Sequence, residues 1–226
     1  ADILSRPEQI SILPDLAAGC SMADMASLAK VERAWRELSA VLDPDQKVTP
    51  VTYINSAADL KAFCGAHGGI VCTSSNAPKI LEWSFAQREK VLFFPDQHLG
   101  RWSGYKMGIP LDEMVIWNPD LEQGGLTREQ IAKAKIILWH GFCSVHQMFQ
   151  PKDIIKFRNQ HPDGFVISHP ECSFEVCKQS DYIGSTETIL QTVKAAPPNT
   201  RWLVGTELNL VERLAQEVKH EGKIVQ

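Results

Sequence analysis

The stretch Ile136-Ile137-Leu138-Trp139-His140-Gly141-Phe142-Cys143-Ser144-Val145-His146-Gln147-Met148 decides the fold. Its first four residues, apolar and rich in β-branched and aromatic types, read as a buried strand, and a glycine-bearing loop then delivers a cysteine into a helix start. A weaker copy lies near the beginning of the chain, where Ile12-Leu13 leads through Gly19 to Cys20-Ser21-Met22-Ala23-Asp24-Met25. Both copies run strand, loop, Cys-Ser-x-x-x-Met, helix, which marks a duplicated unit. Outward from each cysteine comes a helix and then a strand ending in polar residues, Tyr53-Ile54-Asn55-Ser56 in one copy and Ser168-His169-Pro170-Glu171 in the other. A further strand in each copy runs into a hydroxyl-rich turn, Cys72-Thr73-Ser74-Ser75-Asn76 and Ile183-Gly184-Ser185-Thr186-Glu187. All three stations fall at strand C-terminal ends, where open α/β sheets bind ligands and helix N-termini offer free N–H groups. Two such units facing one another would enclose one anion-friendly pocket.

Strand-like runs at 91–94, 113–117, 136–139, 165–168 and 201–204 alternate with helical patterns, the signature of βαβ units around parallel sheets. The fold class expected is therefore α/β. Ser21 three residues before Asp24, and Thr127 three before Gln130, resemble capping boxes, while Pro151 suits a first helical position. Gly222 after Leu210 to Glu221 reads as a helix stop, and 118–126 as a surface loop. The 226 residues suit one large or two small domains, and 44% apolar with 22% charged residues is a globular composition. No apolar run is long enough for a membrane span, and a net charge of -4 without a basic block argues against a nucleic-acid or membrane surface. Six cysteines without a short-loop disulfide framework, and no signal peptide, favour a reducing cytoplasm.

Several side chains can carry chemistry, and each has a plainer reading. Cys20 and Cys143 occupy equivalent stations but are far from the tight Cys-x-x-Cys spacing of zinc ribbons, so they share a metal only if the fold brings them together; otherwise they are small buried hydrophobes. His146, His169 and Glu171 suit general acid/base work, or else His169 and Glu171 cap the helix holding Cys172 and Cys177. The turns at Ser74-Ser75 and Ser185-Thr186 suit carboxylate or phosphate capture, or serve as N-caps. Cys172 with Cys177 reads as packing, as do Trp83, Trp102, Trp139 and Trp202. Three classes remain open on these residues: a metal-dependent enzyme, a non-catalytic α/β module binding phosphate or dicarboxylate, and a thiol or zinc enzyme. In the last, His146 or His169 would activate Cys143, or zinc would sit among Cys20, Cys143 and His169.

The chain resembles the quinolinate synthases, iron-sulfur enzymes of de novo NAD biosynthesis. The resemblance rests on residues 13–24, Tyr53 to Ser56, Cys72 to Ala77, Phe94-Pro95-Asp96-Gln97-His98-Leu99-Gly100-Arg101, Trp139 to Gln147, His169 to Cys172 and Ile183 to Thr186, in the family's order. It implies three pseudo-symmetric three-layer α/β/α domains with short parallel sheets around a 4Fe-4S cluster, of which this chain would carry two. The boundaries implied are 1–20 as a remnant of the first domain, 21–143 as the second and 144–226 as the third. The implied reaction condenses iminoaspartate, made by L-aspartate oxidase, with dihydroxyacetone phosphate, releasing phosphate and water. Carried over by residue, Cys20 and Cys143 are two cluster ligands. Tyr53, Ile54, Asn55, Ser74, His169, Pro170, Glu171, Ser185 and Thr186 match substrate-binding positions, and Glu171, His169 and His146 are the candidate acid/base groups. The resemblance places the third cluster cysteine, and a first-domain segment with a histidine and tyrosines, outside this sequence, so the chain is expected to be a fragment.

Overall fold

The computed structural model describes residues 19–226. The strand expected at Ile12-Leu13 lies outside them. Parallel strands buried on both faces are apolar along their whole length, and the segments of that kind are the ones that pair. β1 (Val48–Tyr53), β2 (Ile70–Cys72), β3 (Lys90–Phe94), β4 (Met114–Trp117) and β5 (Ile136–Trp139) form an all-parallel sheet in the order β2-β1-β3-β5-β4. β6 (Phe165–Ser168), β7 (Tyr182–Ile183), β8 (Arg201–Gly205) and β9 (Ile224–Val225) form a second parallel sheet in the order β7-β6-β8-β9.

Each sheet is the middle of three layers because alternate side chains feed opposite cores. In β3, Leu92 and Phe94 pack with Trp35, Leu38, Trp117 and Trp139, whereas Val91 and Phe93 pack with Leu81, Leu99 and Leu138. The second sheet divides in the same way: Ile167 and Val204 join Ile189 and Leu214, while Val166 joins Ile154, Phe157 and Val176. Each large side chain so buried contributes roughly 1.5–3 kcal/mol. The one charged residue in β3, Lys90, is 7% exposed and keeps its ammonium bonded to the Ala132 and Ala134 carbonyls at 2.6 Å each.

The covering helices are α1 (Ser21–Asp24), α2 (Leu28–Leu38), α3 (Pro44–Lys47), α4 (Ala58–Ala66), α5 (Ala77–Gln87), α6 (His98–Lys106), α7 (Arg128–Lys133), α8 (Pro151–Gln160), α9 (Phe174–Gln179), α10 (Thr186–Ala195) and α11 (Leu208–Val218). α2 shows why such segments are helical and where they face: Val31, Ala34, Trp35 and Leu38 repeat at helical spacing and are all buried, and the Ser27 hydroxyl accepts from Lys30 N. The Thr127–Gln130 capping box forms, Pro151 opens α8, and Gly222 at φ 70° ends the turn that follows α11. The capping box read at Ser21 and Asp24 does not form. Cys20, extended at φ -90° and ψ 114°, is itself the N-cap, and Ser21 is already helical. Trp83, read as packing, stands 39% exposed, whereas Trp139 and Trp202 are buried.

The connections reverse direction between β1 and β3 in the first sheet and between β6 and β8 in the second. Such switch points open a crevice at the strand C-terminal ends. Tyr53 ends β1 and Pro95-Asp96 follows β3; His169 to Glu171 follow β6 and Thr206 follows β8.

Candidate functional site

The loop after β5 brings the two repeat copies together. Trp139 Nε1 donates to the Met25 carbonyl at 2.9 Å, and Phe142 N donates to Met25 Sδ at 3.3 Å. The hydroxyls of Ser21 and Ser144 are 3.1 Å apart, so the serine after each copy's cysteine meets its counterpart. Cys20 is exposed and Cys143 half-buried, and the other four cysteines are buried; all six are free thiols. Burial pushes the Cys177 thiol up to about 12 and raises that of Cys172 as well. These two pack in the core beside Phe157 and Val176 and donate only weakly to backbone carbonyls. The reading of them as packing therefore holds, and they are unsuited to serve as thiolates. They are not capped by His169 and Glu171 either: α9 begins at Phe174, with the Ser173 hydroxyl as its cap.

Cys143, His146 and Glu171 converge. Their Sγ, ring nitrogen and carboxylate oxygen lie within 4.8 Å of one another, close enough to share one cation. His146 Nδ1 faces Glu171 Oε2 at 3.4 Å, an ion-pair distance that falls short of hydrogen-bond geometry, and its Nε2 lies 3.4 Å from the Thr206 hydroxyl. His169 Nδ1 is 3.7 Å from Glu171 Oε1, and the two imidazoles stack at 4.4 Å with planes 13° apart. Gln147 holds the Glu171 backbone through its carbonyl at 3.1 Å.

The electrostatics separate the two imidazoles. Burial opposes charge on His146, yet the Cys143 thiol and the Glu171 carboxylate outweigh it and raise its pKa to about 9. Burial, reinforced by His146, holds His169 at about 4 against the pull of Glu171. Burial would also raise Glu171, but His146, His169 and the Tyr53 hydroxyl hold it below its usual range. Cys143 behaves likewise: burial is overcome by His146, which lowers its pKa toward the thiolate. Tyr53 moves up through burial first and the facing Glu171 second, with Ser74 opposing, so its phenol keeps its proton at neutral pH. One group of contacts thus holds a protonated imidazole, a neutral one, a carboxylate and a phenol, the separation of protonation states that acid/base chemistry needs.

Ser74, Pro170 and Ser185 line a single cleft of about 280 Å³ between the two sheets, together with Leu99, Trp102 and Lys106. Ser185 caps α10 by accepting from Thr188 N at 3.4 Å, so the helix N-terminus opens into the cleft. Ser74 is not a cap: the Thr73–Asn76 turn closes itself, with Asn76 Oδ1 accepting from Thr73 N at 2.7 Å. Ile54, Asn55 and Thr186 stand exposed at the same strand ends. A hollow of about 410 Å³ at the opposite end of the first sheet, beside Arg88, Glu113 and Lys135, is remote from all of these stations. Thr206, Asp96 and Lys106 were given no role from sequence. Thr206 had one usable signal, its place just after a strand, at the same kind of station as His169.

The family described as Quinolinate synthetase A protein matches residues 1–226. A quinolinate synthase of Rhodopirellula baltica is 54% identical over 96% of this chain and 58% of its own length. Those of Acidobacterium capsulatum and Bacillus cytotoxicus are 52% and 50% identical, each over 99% of this chain and 60% and 59% of their own lengths. The chain thus spans less than two thirds of the curated relatives it matches.

Proposed function

The chain belongs to the quinolinate synthetase A family, and we propose that it forms part of an enzyme that condenses iminoaspartate with dihydroxyacetone phosphate to quinolinate, releasing phosphate and water, in de novo NAD biosynthesis. The observation that carries this reading is the convergence of Cys143, His146, His169, Glu171 and Tyr53, drawn from strand ends of both sheets, on one crevice. The proposed domains are 21–143 and 144–226, supported by a sheet on either side of Cys143. On this reading L-aspartate oxidase supplies the imine, and the compartment is the reducing cytoplasm, in keeping with six free thiols.

A 4Fe-4S cluster fits the donor set in part: Cys143 has a lowered thiol pKa, and the Ser21–Ser144 contact sets Cys20 on the same side of the site. Cys20 and Cys143 would supply two of its thiolates. When bound, an iron without a protein ligand supplies a Lewis acid toward carboxylate and hydroxyl oxygens.

The chain's own residues do the rest. Ser74, Ser185 and the N-terminus of α10 hold anionic oxygens in the cleft, and Asn55 and Thr186 extend that hold at its rim. Charged His146 stabilises negative charge gathering beside Cys143 and can give up its Nδ1 proton. Glu171, kept ionised, is the base for a carbon-bound or amine proton, and neutral His169 stacks beside it as the second acceptor. Tyr53, which keeps its phenolic proton, faces Glu171 and helps to hold the carboxylate ionised.

The test is iron and acid-labile sulfide per chain after anaerobic reconstitution of the full-length reading frame, run alongside quinolinate formation. Wild type is expected to hold about four irons and Cys143→Ala to lose iron and activity together. Iron retained at the wild-type level in Cys143→Ala would remove Cys143 from the ligand set, and no iron in either would favour a cluster-free binding module.

A further inference from the structure

One face of α6 forms a wall of the cleft. Leu99, Trp102, Ser103 and Lys106 all line it, at the i, i+3, i+4, i+7 spacing that sets four side chains on one stripe of a helix. The inner end of the stripe is tied to the site: Asp96, just after β3, accepts from Leu99 N at 2.6 Å through its Oδ1. Pro170, which lines the same cleft from the second sheet's side, stands between His169 and Glu171. The rise from Leu99 to Lys106 is about 10 Å of helix axis, so Lys106 marks the outer end. Side chains of a helix lean toward its N-terminus, which carries the lysine stem back along the stripe and over the cleft. The wall is also held from behind, because Trp102 and Tyr105 pack on Phe174 of α9 with ring centroids 6.0 and 5.0 Å apart.

Among the residues lining the cleft, Lys106 is the one with a charged side chain, and the polar remainder is mostly hydroxyl, from Ser74, Ser103, Ser185 and Thr188 among others. Hydroxyls bond the oxygens of a sugar or an alcohol as readily as those of an anion. They carry no net charge, so they do not by themselves separate a phosphomonoester from its neutral parent. An ammonium does. Lys106 is exposed, and among the described residues it pairs with no carboxylate. The charged groups beside it are already engaged. A second hollow of about 330 Å³ shares Trp102, Lys106 and Ile183 with the cleft, so the two adjoin at Lys106. In that hollow Lys178 donates to the Tyr105 hydroxyl at 2.8 Å and lies 4.9 Å from the centroid of its ring. Asp181 is paired with Arg158 at 3.0 Å and accepts from Val166 N at 2.8 Å. The charge left to meet a ligand at the mouth of the cleft is that of Lys106.

We propose that Lys106 is a specificity-determining residue: its ammonium holds the phosphate of a phosphorylated substrate at the outer end of the cleft and so turns that molecule's carbon chain inward, toward Pro170 and Glu171. The proposal rests on the quinolinate synthase reading for the identity of the substrate, dihydroxyacetone phosphate. The chemical class rests on the cleft itself, where one unpaired cation stands among hydroxyls. A mobile ammonium that grips a part of the substrate remote from the reacting carbons binds ground state and transition state alike, so its loss raises KM and spares kcat.

The experiment compares Lys106→Gln, Lys106→Arg and Lys178→Gln in the full-length reconstituted protein; both lysines are exposed, so each variant should fold and hold iron as wild type does. Binding of radiolabelled inorganic phosphate is measured by equilibrium dialysis, and steady-state rates with each substrate varied in turn. Lys106→Gln is expected to weaken phosphate binding at least about 5-fold and to raise KM for dihydroxyacetone phosphate at least about 10-fold, with kcat and KM for iminoaspartate within about 3-fold of wild type. Lys106→Arg keeps the charge and should stay within about 3-fold of wild type in both phosphate binding and KM. Lys178→Gln removes the same charge from the neighbouring hollow and should change either quantity by less than about 2-fold. The proposal is overturned if wild type binds no phosphate, if Lys106→Gln binds it as wild type does, if Lys106→Arg restores nothing, or if Lys178→Gln loses as much as Lys106→Gln, which would mark a diffuse field instead of a contact. The dialysis needs no turnover. Should wild type bind phosphate through Lys106 and form no quinolinate, the anion site stands and the reaction assigned to it falls.

Discussion

Gly141 ties the fold to the site, and Gly141→Ala shows how tightly. It lies two residues beyond β5 and two before Cys143, and a Cβ there would stand 2.1 Å from the Pro95 carbonyl oxygen. The obstacle is backbone, fixed in turn by Gln97 N donating to the Gly141 carbonyl at 3.0 Å. Neither side is a flexible side chain, so the two loops have to part by about 1 Å to reach ordinary contact, an overpacking that costs about 1–3 kcal/mol. For a chain of this length each kcal/mol moves Tm by roughly 2–4 °C, so thermal unfolding followed by circular dichroism should show a fall of about 2–12 °C. Cys143 shifts with the loop, and a displacement of about 1 Å is enough to cost roughly 100-fold in rate. Gly65→Ala is the control, because nothing lies within 4 Å of a Cβ there; it should leave Tm unchanged or raised. A Gly141→Ala protein melting within about 1 °C of wild type, with an unchanged rate, would refute the claim that the close approach of these loops sets the cysteine's position.

Glu171→Gln should keep the wild-type iron content and lose at least about 100-fold in kcat, and its His146 should titrate lower by imidazole NMR, since the carboxylate is one of the two groups holding that proton; an unchanged rate would remove Glu171 from the proton-transfer set. Ser185→Ala removes the acceptor for Thr188 N, and because that contact is 3.4 Å the cap should be worth under about 1 kcal/mol in urea unfolding, while on the proposed function KM for dihydroxyacetone phosphate rises; a larger stability loss than KM change would make Ser185 a structural cap alone. In the metal-free protein His169, depressed to about 4, contributes stability that is present above its unfolded value near 6.5 and lost as pH falls through 4. His146, raised to about 9, contributes the reverse: full below 6.5 and lost as pH rises through 9. Tm measured against pH should therefore flatten on the acid side in His169→Gln and on the alkaline side in His146→Gln, and identical profiles would contradict the assignment of the two protonation states.

The strands were legible because burial on both faces leaves an unbroken apolar run, as at Ile136 to Trp139, which the structure forms with those bounds. The Thr127–Gln130 box was legible for a similar reason, since its partners are three residues apart and need nothing distant. Ser21 was misread because a one-turn helix has too little pattern to fix its start, and the extended backbone of Cys20 settles the matter. Trp83 was misread because size and apolarity do not say which face of α5 is covered. The stations at Tyr53, Ser74, His169, Glu171 and Ser185 could be listed from the repeat, but their sharing of one crevice depends on two sheets turning their strand ends toward each other. Asp96 stood in a quoted segment without a role. What distinguishes it is complete burial with one oxygen unpaired, and that is a property of tertiary packing that no spacing encodes.

On the proposed reading the site holds anions, and a chain of net charge -4 has no general positive field to draw on. Positive potential is made locally, by a buried imidazole kept charged by its thiol and carboxylate neighbours, by the α10 N-terminus behind Ser185, and by Lys106 at the cleft wall. Each of these acts over a few ångströms in a crevice walled by low-dielectric core, where screening by salt is weak. On the same reading, the acidic groups have to be kept from repelling an anionic ligand. Glu171 faces His146 at ion-pair distance, and burial raises Asp96 well above the usual carboxylate range. On the proposed reading, a small anion meets these positive groups only inside the crevice, because each of them acts over a few ångströms.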